Sequence, residues 1–376
     1  MRRRLRRDRT ESEAGHPIND LQALSDSQRE RLAPAPDWRD AVASLDVALE
    51  GLWTGQRTHR GSVFLIGPPH SGCAEILKLW AEQRQWRLLD PPSPQQILAP
   101  DPAWLGSLIM EHRPWVFPHL ERTYLRHAGG LRVLRQFLNE VSSGRLGSGI
   151  IGCDSWAWAF VRRIVGAPVV RSATLTLQAF DEKALTLYFQ KLADASSGQP
   201  LLFRQADSGH YILPLPAGTV GESRGQSDFL HHLAAYSRGI LGIAWVVWRA
   251  SLRTRSDDEK LARITAEAPG ELPCLTQNTV WIAPWDPLQQ PALPPGAGRK
   301  QAFVLHSLLL HDGLSADRLG QLLPLSANQV LETLYLLQDA MLVEQDGAGG
   351  IWRVAPMGYP TVRKFLHDEG FFVDDS

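Results

Sequence analysis

This sequence has little cysteine and no long apolar segment. Its three cysteines, Cys73, Cys153 and Cys274, are odd in number and far apart in the chain. They form neither a disulfide framework nor a set of metal ligands at a recognised spacing. The longest nearly unbroken apolar run, 239–248, is shorter than the roughly 20 residues that a membrane-spanning helix needs. We therefore expect a cytoplasmic protein with no membrane span and no metal site.

Charge is unevenly distributed along the 376 residues. The whole chain has a formal net charge of −1, yet its first nine residues, MRRRLRRDR, contain six arginines and one aspartate. No apolar stretch follows them, so they do not form a secretory signal. An arm of this kind can contact nucleic acid or an anionic lipid surface, or it can be a solvated tail. We predict that residues 1–35 are a disordered basic arm.

The segment SVFLIGPPHSGCAEIL, residues 62–77, lacks the two side chains on which a phosphate-binding loop depends. An apolar strand run leads into a turn between Gly67 and Gly72, with the spacing G-x-x-x-x-G. The Lys and Ser/Thr that should follow are replaced by Cys73 and Ala74. In such a loop the lysine contacts the β and γ phosphates, and the hydroxyl holds Mg²⁺. Backbone N–H groups at the turn and helix start can still cradle a phosphate.

The loop itself supplies most of the predicted nucleotide contacts. The ligand would be ATP or ADP, bound without Mg²⁺, and His70 could donate one hydrogen bond to a phosphate. Cys73 is either a small buried helix residue or a reactive thiol whose pKa a helix N-terminus lowers. The predicted nucleotide-contacting residues of the loop are Gly67, Pro68, Pro69, His70, Ser71, Gly72, Cys73 and Ala74.

Strand and helix patterns alternate over the first half of the chain. Strand-like runs occur in RLLD, RPWVFPHLERTYL, GSGIIGCDS and SATLTLQAF, and an amphipathic helix pattern covers 131–141. Alternation of this kind indicates a parallel sheet covered by helices on both faces. We predict a P-loop α/β core over residues 36–180.

The second half of the chain has a different pattern, with more helical segments and a proline-rich stretch. We predict a helical lid at 181–265, with a loop insertion near 196–226, and a proline-rich linker at 266–300 that carries one short strand, 280–283. Residues 301–376 follow the order of a winged helix-turn-helix domain, in which Ser315 and Ser326 stand where a helix N-cap is expected.

The wording G-P-P-x-x-G and this order of elements resemble the AAA+ class of P-loop ATPases over about residues 40–376. A winged helix after the lid is similar to replication initiators and to signalling ATPases of the STAND type. The resemblance implies that the strand WVFPHLER should end in acidic residues that bind magnesium and activate water. Pro118 and His119 occupy those positions, and only Glu121 offers a carboxylate.

The same resemblance assigns three further candidate residues. The sensor 1 position falls on Asp154 or Ser155 in GCDS, and the sensor 2 arginine falls on Arg238 in YSRGILGIAW. Each candidate has a structural alternative. The alternatives are that Glu121 forms a polar turn with His119, that Asp154 caps the helix that follows it, and that Arg238 forms a salt bridge within the lid. The candidates for catalysis are therefore only Glu121 and Asp154.

The C-terminal domain is a poor candidate for DNA binding. Its expected recognition helix, 326–339, contains no Arg or Lys, and residues 301–376 carry four basic against ten acidic side chains. Neutralisation of phosphates supplies most of the affinity for DNA, which an acidic surface opposes. The pattern predicts that this helix buries Val330, Leu331, Leu334 and Leu337 and that the domain packs on the lid or on a protein partner.

Three functions are compatible with these residues. The first is a pseudo-ATPase, a non-hydrolysing regulatory or scaffolding subunit that acts through protein–protein contacts with a partner or with homologous AAA+ subunits. The second is an ATP-binding switch, or an ATPase with weak or in-trans hydrolysis. The third is a DNA-associated regulator that uses the winged helix and the N-terminal arginine arm. Loss of the loop side chains together with the acidic strand end favours the first.

Overall fold

The computed structural model describes residues 17–54, 61–98, 104–106, 108, 113–165, 172–196, 201–215, 225–255, 279–286, 288, 290–347, 350–371 and 374. The chain divides into two compact units. The core unit comprises Asp37–Gln178 and Pro291–Ser376, and the companion unit comprises Met1–Pro36 and Ala179–Gln290.

The helices and strands have the following bounds. The strands are β1 (Leu21–Ala23), β2 (Val63–Gly67), β3 (Arg87–Leu88), β4 (Trp115–Phe117), β5 (Gly149–Asp154), β6 (Ala173–Thr176), β7 (Leu202–Gln205), β8 (Leu252–Arg255), β9 (Thr279–Ile282), β10 (Leu314–Ser315), β11 (Val343–Gln345) and β12 (Ile351–Val354). The α-helices are α1 (Asp26–Leu32), α2 (Arg39–Thr54), α3 (Cys73–Arg84), α4 (Pro94–Leu98), α5 (Arg132–Ser142), α6 (Ser155–Val165), α7 (Glu182–Ser196), α8 (Phe229–Ser237), α9 (Leu241–Ser251), α10 (Arg299–Leu310), α11 (Ala316–Leu322), α12 (Ala327–Asp339) and α13 (Tyr359–Asp368). Short 3-10 helices cover Ile18–Asp20, Leu120–Arg122 and Pro356–Gly358.

A five-stranded parallel sheet forms the centre of the core unit, with the strand order β3-β4-β5-β2-β6. Every residue of β2 is buried, as is typical of a strand covered on both faces. In the register of β2 with β5, Gly67 lies opposite Asp154. The loop after β2 and the polar end of β5 therefore share one edge of the sheet. The α/β fold with a parallel sheet between helices, predicted from the sequence, is confirmed.

Alternation along β2 divides the core between the two faces of the sheet. Val63 and Leu65 pack with apolar residues of α2 and α3, whereas Phe64 and Ile66 pack with those of α5 and α6. Helix α3 fixes the end of the loop, because it packs on the sheet and begins where the loop ends.

The C-terminal segment of the core unit, Pro291–Ser376, has the order α10-β10-α11-α12-β11-β12-α13. Its three strands form an antiparallel sheet in the order β10-β12-β11. Ser315 and Ser326 accept hydrogen bonds from the backbone N–H groups of Arg318 and Gln329, respectively, so both serines cap helices, as predicted.

One sequence prediction for this segment is wrong. Leu331 is exposed, although the pattern of α12 predicted that it is buried. The segment joins the same compact unit as the core sheet, while packing on the lid or on a protein partner stays a prediction. Direct hydrogen bonds connect the segment to the core: Tyr124 donates to the carbonyl of Leu310 at 2.8 Å.

The companion unit differs from two sequence predictions. It contains a four-stranded sheet in the order β1-β8-β9-β7, together with α1, α7, α8 and α9, so the region predicted as a helical lid is mixed α and β. Residues 17–35 were predicted to be disordered, but β1 pairs with β8, and Ser25 starts α1 with a capping box. The predicted linker contributes β9, which lies between two other strands. These pairings join distant parts of the chain, so local composition does not reveal them. The arginine-rich residues 1–16 lie outside the described residues.

Among the described helices, none combines the length and the apolar character that a bilayer crossing requires.

Candidate functional site

The loop between β2 and α3 has the backbone shape of a phosphate cradle. A turn is closed by the N–H of Ser71, which donates to the carbonyl of Pro68 at 3.1 Å. His70 and Gly72 adopt left-handed conformations, with φ of 65° and 81°. Gly72 is the N-cap of α3, so the positive end of the helix dipole faces the loop.

Two features require a glycine at position 72: its backbone conformation and its close contact with Trp38. Its positive φ is costly for any residue with a Cβ atom, and a Cβ atom built there would overlap the ring of Trp38. The second loop glycine is therefore required for packing in this fold, whether or not a nucleotide binds.

The two residues that replace the lysine and the magnesium hydroxyl are directed into the protein. The thiol of Cys73 donates a weak hydrogen bond to the carbonyl of Leu65, with Sγ and O 3.5 Å apart. Burial, and after it the carboxylate of Glu121, raises the pKa of the Cys73 thiol far above its ordinary value. The raised pKa and this hydrogen bond favour the other alternative, a small helix residue without a reactive thiolate. Ala74 is buried and offers no polar atom.

Two polar atoms of the loop have no hydrogen-bond partner among the described residues. They are the hydroxyl oxygen of Ser71 and the Nε2 atom of His70, and both are buried. Burial lowers the pKa of His70 to about 4, so its ring is neutral at neutral pH. The loop thus keeps hydrogen-bonding capacity and supplies no positive charge of its own.

Glu121 and Asp154, the two candidates for catalysis, lie together at the sheet edge. One Glu121 oxygen lies 2.9 Å from Nδ1 of His119, and the other accepts a hydrogen bond from the backbone N–H of Asp154 at 3.3 Å. Asp154 itself accepts from the backbone N–H of Trp156 at 2.8 Å, which is the helix-capping alternative. Burial, and then the charge of Glu121, raises the pKa of Asp154 well above its ordinary value.

An aspartate from the C-terminal segment reaches this edge. Asp312 accepts hydrogen bonds from the guanidinium of Arg122, whose Nε lies 3.2 Å from Oδ2, and Nη2 binds the same oxygen. Nδ1 of His119 is 3.7 Å from that oxygen, and Nε of Arg353 is 3.9 Å from Oδ1. Two arginines that could attract phosphate are therefore paired with an internal carboxylate.

A cavity of about 340 Å³ brings these groups together. Its lining includes the whole loop from Gly67 to Ala74, together with Glu121 and Asp154. On its other side are residues of the C-terminal segment, among them Asp312 and Arg353. All of these belong to the core unit, so the C-terminal segment covers the loop as part of one compact body.

Three ligand-type side chains meet within this cavity. The nearest donor atoms of His119, Glu121 and Asp312 all lie within 4.8 Å of one another, a grouping compatible with a divalent cation. Arg122 already binds Asp312, however, and a guanidinium in that position competes with a metal ion. The expectation that no Mg²⁺ binds stays a prediction.

Arg238, the predicted sensor 2 residue, belongs to the companion unit, while the loop belongs to the core unit. It follows the last residue of α8 with a φ of 53°. Its role in a nucleotide site therefore stays a prediction.

Sequence reasoning missed Arg122, Asp312 and Arg353. The only local signal was the Asp312–Gly313 pair, which is typical of a turn and says nothing about a distant partner.

Comparisons with known proteins identify no family for this chain. No protein-family model matches the sequence, and no curated protein matches it. Among solved structures, the Holliday junction branch migration motor RuvB of Thermotoga maritima shares 14% identity and has a TM-score of 0.35, covering 91% of this chain and 99% of that one. ORC2 of Aeropyrum pernix has 13% identity and a TM-score of 0.39, covering 93% and 99%. A Walker-type ATPase of Pyrococcus abyssi has 11% identity and a TM-score of 0.35, covering 92% and 99%. At these scores no functional conclusion rests on the likeness.

Proposed function

We propose that this chain is a non-hydrolysing P-loop protein of AAA+ type with a C-terminal winged helix, and that it works as a regulatory or scaffolding subunit through protein contacts. The observation that carries the proposal is the orientation of Cys73 and Ala74. The positions that should supply a lysine and a magnesium ligand face the strand and the core. Phosphoryl transfer depends on charge stabilisation and positioning, and neither residue can supply them.

The surrounding carboxylates support the same proposal. Asp154 caps α6, and Glu121 is held between His119 and the backbone of Asp154. Asp312 neutralises Arg122 beside the loop, so a triphosphate would have to displace an internal ion pair. The side chains of Glu121, Asp154 and Asp312 are thus used for structure.

The outer face of α12 is a suitable contact surface. Leu331, Tyr335 and Leu336 are exposed there, and Met341 is exposed just beyond the helix. The helix contains Glu332 and Asp339 and has no basic residue. An apolar surface with an acidic border fits a protein segment that carries apolar side chains flanked by Lys or Arg. A DNA backbone would be repelled by it.

Nucleotide titration by calorimetry, with and without Mg²⁺, tests the loop on the full chain. We expect no Mg²⁺-dependent ATP binding and no turnover in a phosphate-release assay. The double variant C73K/A74S restores both loop side chains and leaves Glu121, Asp154 and Asp312 unchanged. It should gain affinity for ATP and still not hydrolyse it. Tight Mg²⁺-dependent binding or steady turnover by the unaltered chain would contradict the proposal.

A photo-crosslinking amino acid placed at Tyr335 tests the contact surface in cells. The matched control is the same amino acid at Val47, which is even more exposed and lies on α2. We expect a discrete protein adduct from position 335 only. Adducts of equal pattern from both positions, or a nucleic-acid adduct from position 335, would argue against a protein-docking face.

One observation favours a second function, an ATP-binding switch. The unpaired Ser71 hydroxyl and His70 Nε2 are buried polar atoms beside a helix N-terminus, and buried polar atoms of this kind ordinarily have a partner. A phosphate oxygen would satisfy both. Mg²⁺-independent binding of ADP, abolished by S71E and unaffected by the exposed change S44E on α2, would establish this function in place of the first.

A further inference from the structure

A second cavity of the core unit lies between α6 and the C-terminal helices. Its volume is about 400 Å³, within the range of small-molecule sites. Arg126 and helix α6 contribute one side, while α10 and residues 369–371 contribute the other. None of the loop residues takes part in its lining.

The lining of this cavity carries more positive than negative charge. Arg126, Arg163 and Arg299 line it, and Glu369 is the one acidic residue of the lining. Arg299 is the first residue of α10, whose first turn has no acidic residue. The positive end of the helix dipole lies at the same place, so Arg299 adds to the positive potential there. Among the described residues, neither Arg126 nor Arg299 has a carboxylate partner.

One wall of the cavity is aromatic. Ring centroids lie 6.0 Å apart for Trp156 and His306, 5.0 Å for His306 and Phe371, and 5.6 Å for Phe303 and Phe371. A planar ligand ring can pack against such a surface in an offset or edge-to-face arrangement.

His306 is a neutral member of this wall. Its Nδ1 lies 3.3 Å from Nη1 of Arg126, and because a guanidinium only donates, Nδ1 must accept. Burial, with the nearby Arg126 as the second cause, lowers the pKa of His306 to about 4. The ring thus holds Arg126 in place without adding charge at neutral pH.

We propose that this cavity is a binding site for a nucleoside phosphate, whose base packs on the aromatic wall and whose phosphate is bound by Arg126, Arg163 and Arg299. Arginine is well suited to this task because its planar fork binds phosphate in a bidentate manner. Ligand bound there contacts both the core and the C-terminal segment. It would therefore stabilise their association, including the segment that covers the loop, by mass action.

Calorimetric titration of the full chain with adenosine 5′-monophosphate, adenosine and ribose 5-phosphate tests the site. The monophosphate should bind about tenfold or more tightly than either fragment, since ring and phosphate both contribute. R299E should weaken this binding by about tenfold or more, because a charged hydrogen-bonding partner is lost and reversed. The matched control is K300E, the same charge change one residue later, which should change binding less than about twofold because Lys300 does not line the cavity.

A loop variant separates this site from the loop. S71E places a carboxylate in the loop cavity and should leave monophosphate binding within about twofold. Equal effects of R299E and K300E would overturn the proposal, as would absence of binding at millimolar concentration. Loss of binding in S71E alone would place the ligand at the loop instead. Ribose 5-phosphate binding as tightly as the monophosphate would overturn the assignment of a nucleoside ligand. Thermal unfolding of each variant shows that the fold is intact.

Discussion

Arg122 and Asp312 are 190 residues apart in sequence, and their side chains meet directly above the edge of the parallel sheet. The arginine follows β4, and the aspartate comes from the turn after α10. Their ion pair connects the C-terminal segment to the core at the cavity that the loop between β2 and α3 also lines. Asp312 has a φ of 50°, so a turn in a left-handed conformation directs its carboxylate there.

Replacing Asp312 should weaken the association of the C-terminal segment with the core. D312N removes the charge and keeps a residue type that tolerates a positive φ, whereas D312A also adds backbone strain. Because the pair is partly exposed, we expect D312N to lower the free energy of unfolding by about 1 kcal/mol and D312A by about 2 kcal/mol. Urea denaturation measures both. Equal stability of D312N and the unaltered chain would show that the pair contributes nothing.

A change at Gly72 should reveal how tightly the loop is packed. G72A must place a Cβ atom at a φ of 81° and against the ring of Trp38, so we expect a loss of about 2 kcal/mol or more. The control is Gly51 in α2, where a Cβ atom meets nothing within 4 Å. G51A should stabilise the protein by about 0.5–1 kcal/mol, since alanine favours helix. The order of the two midpoints in urea checks the prediction.

The hydroxyl of Tyr359 joins α13 to the core. It accepts a hydrogen bond from Nε1 of Trp156 at 2.9 Å, and both side chains are buried. Y359F leaves the indole N–H without this partner, which should cost about 1–3 kcal/mol. Y335F, at an exposed position of α12, should change stability by less than about 0.5 kcal/mol. A cost in Y359F no larger than in Y335F would mean that another group satisfies Trp156.

Stability should depend on pH through His311. Burial lowers the pKa of His311 to about 3, while the unfolded chain takes up a proton near its ordinary value of about 6.5. The unfolded state therefore binds more protons below that pH, and stability falls as pH decreases from about 6.5 toward 3. H311Q should reduce this slope by up to about 1.4 kcal/mol per pH unit.

The measurement compares urea midpoints of the variant and the unaltered chain at several pH values. Subtraction is needed because the raised pKa of Asp154 acts in the opposite direction, favouring the folded state at low pH. H367Q, at an exposed histidine, is the control for the replacement of a histidine by glutamine. A slope identical in H311Q and the unaltered chain would contradict the prediction.

The central sheet could be predicted because its information is local. The apolar run of β2, the glycine turn and the helix pattern after it are consecutive, and they reappear as β2, the loop and α3. The same holds for the serine caps of α11 and α12. Residues 17–35 were misjudged because the order of β1 comes from pairing with the distant strand β8, for which composition gives no signal.

The candidate site divides in the same way. Its loop residues, Glu121 and Asp154 were proposed from spacing and resemblance. Asp312 and the cationic cavity were not, since Arg126 and Arg299 come together only when α10 packs against α6.

By itself, the sequence determined that Cys73 and Ala74 follow Gly72 in place of a lysine and a Ser or Thr, because that conclusion depends only on which residues are present. Only the tertiary structure decided what replaces the missing chemistry. In that structure Cys73 donates to the carbonyl of Leu65, and Asp154 caps α6. Asp312 of the C-terminal segment forms an ion pair with Arg122. The physical reason is that these contacts satisfy buried polar groups, and which groups become buried together is fixed by the packing of the whole core unit.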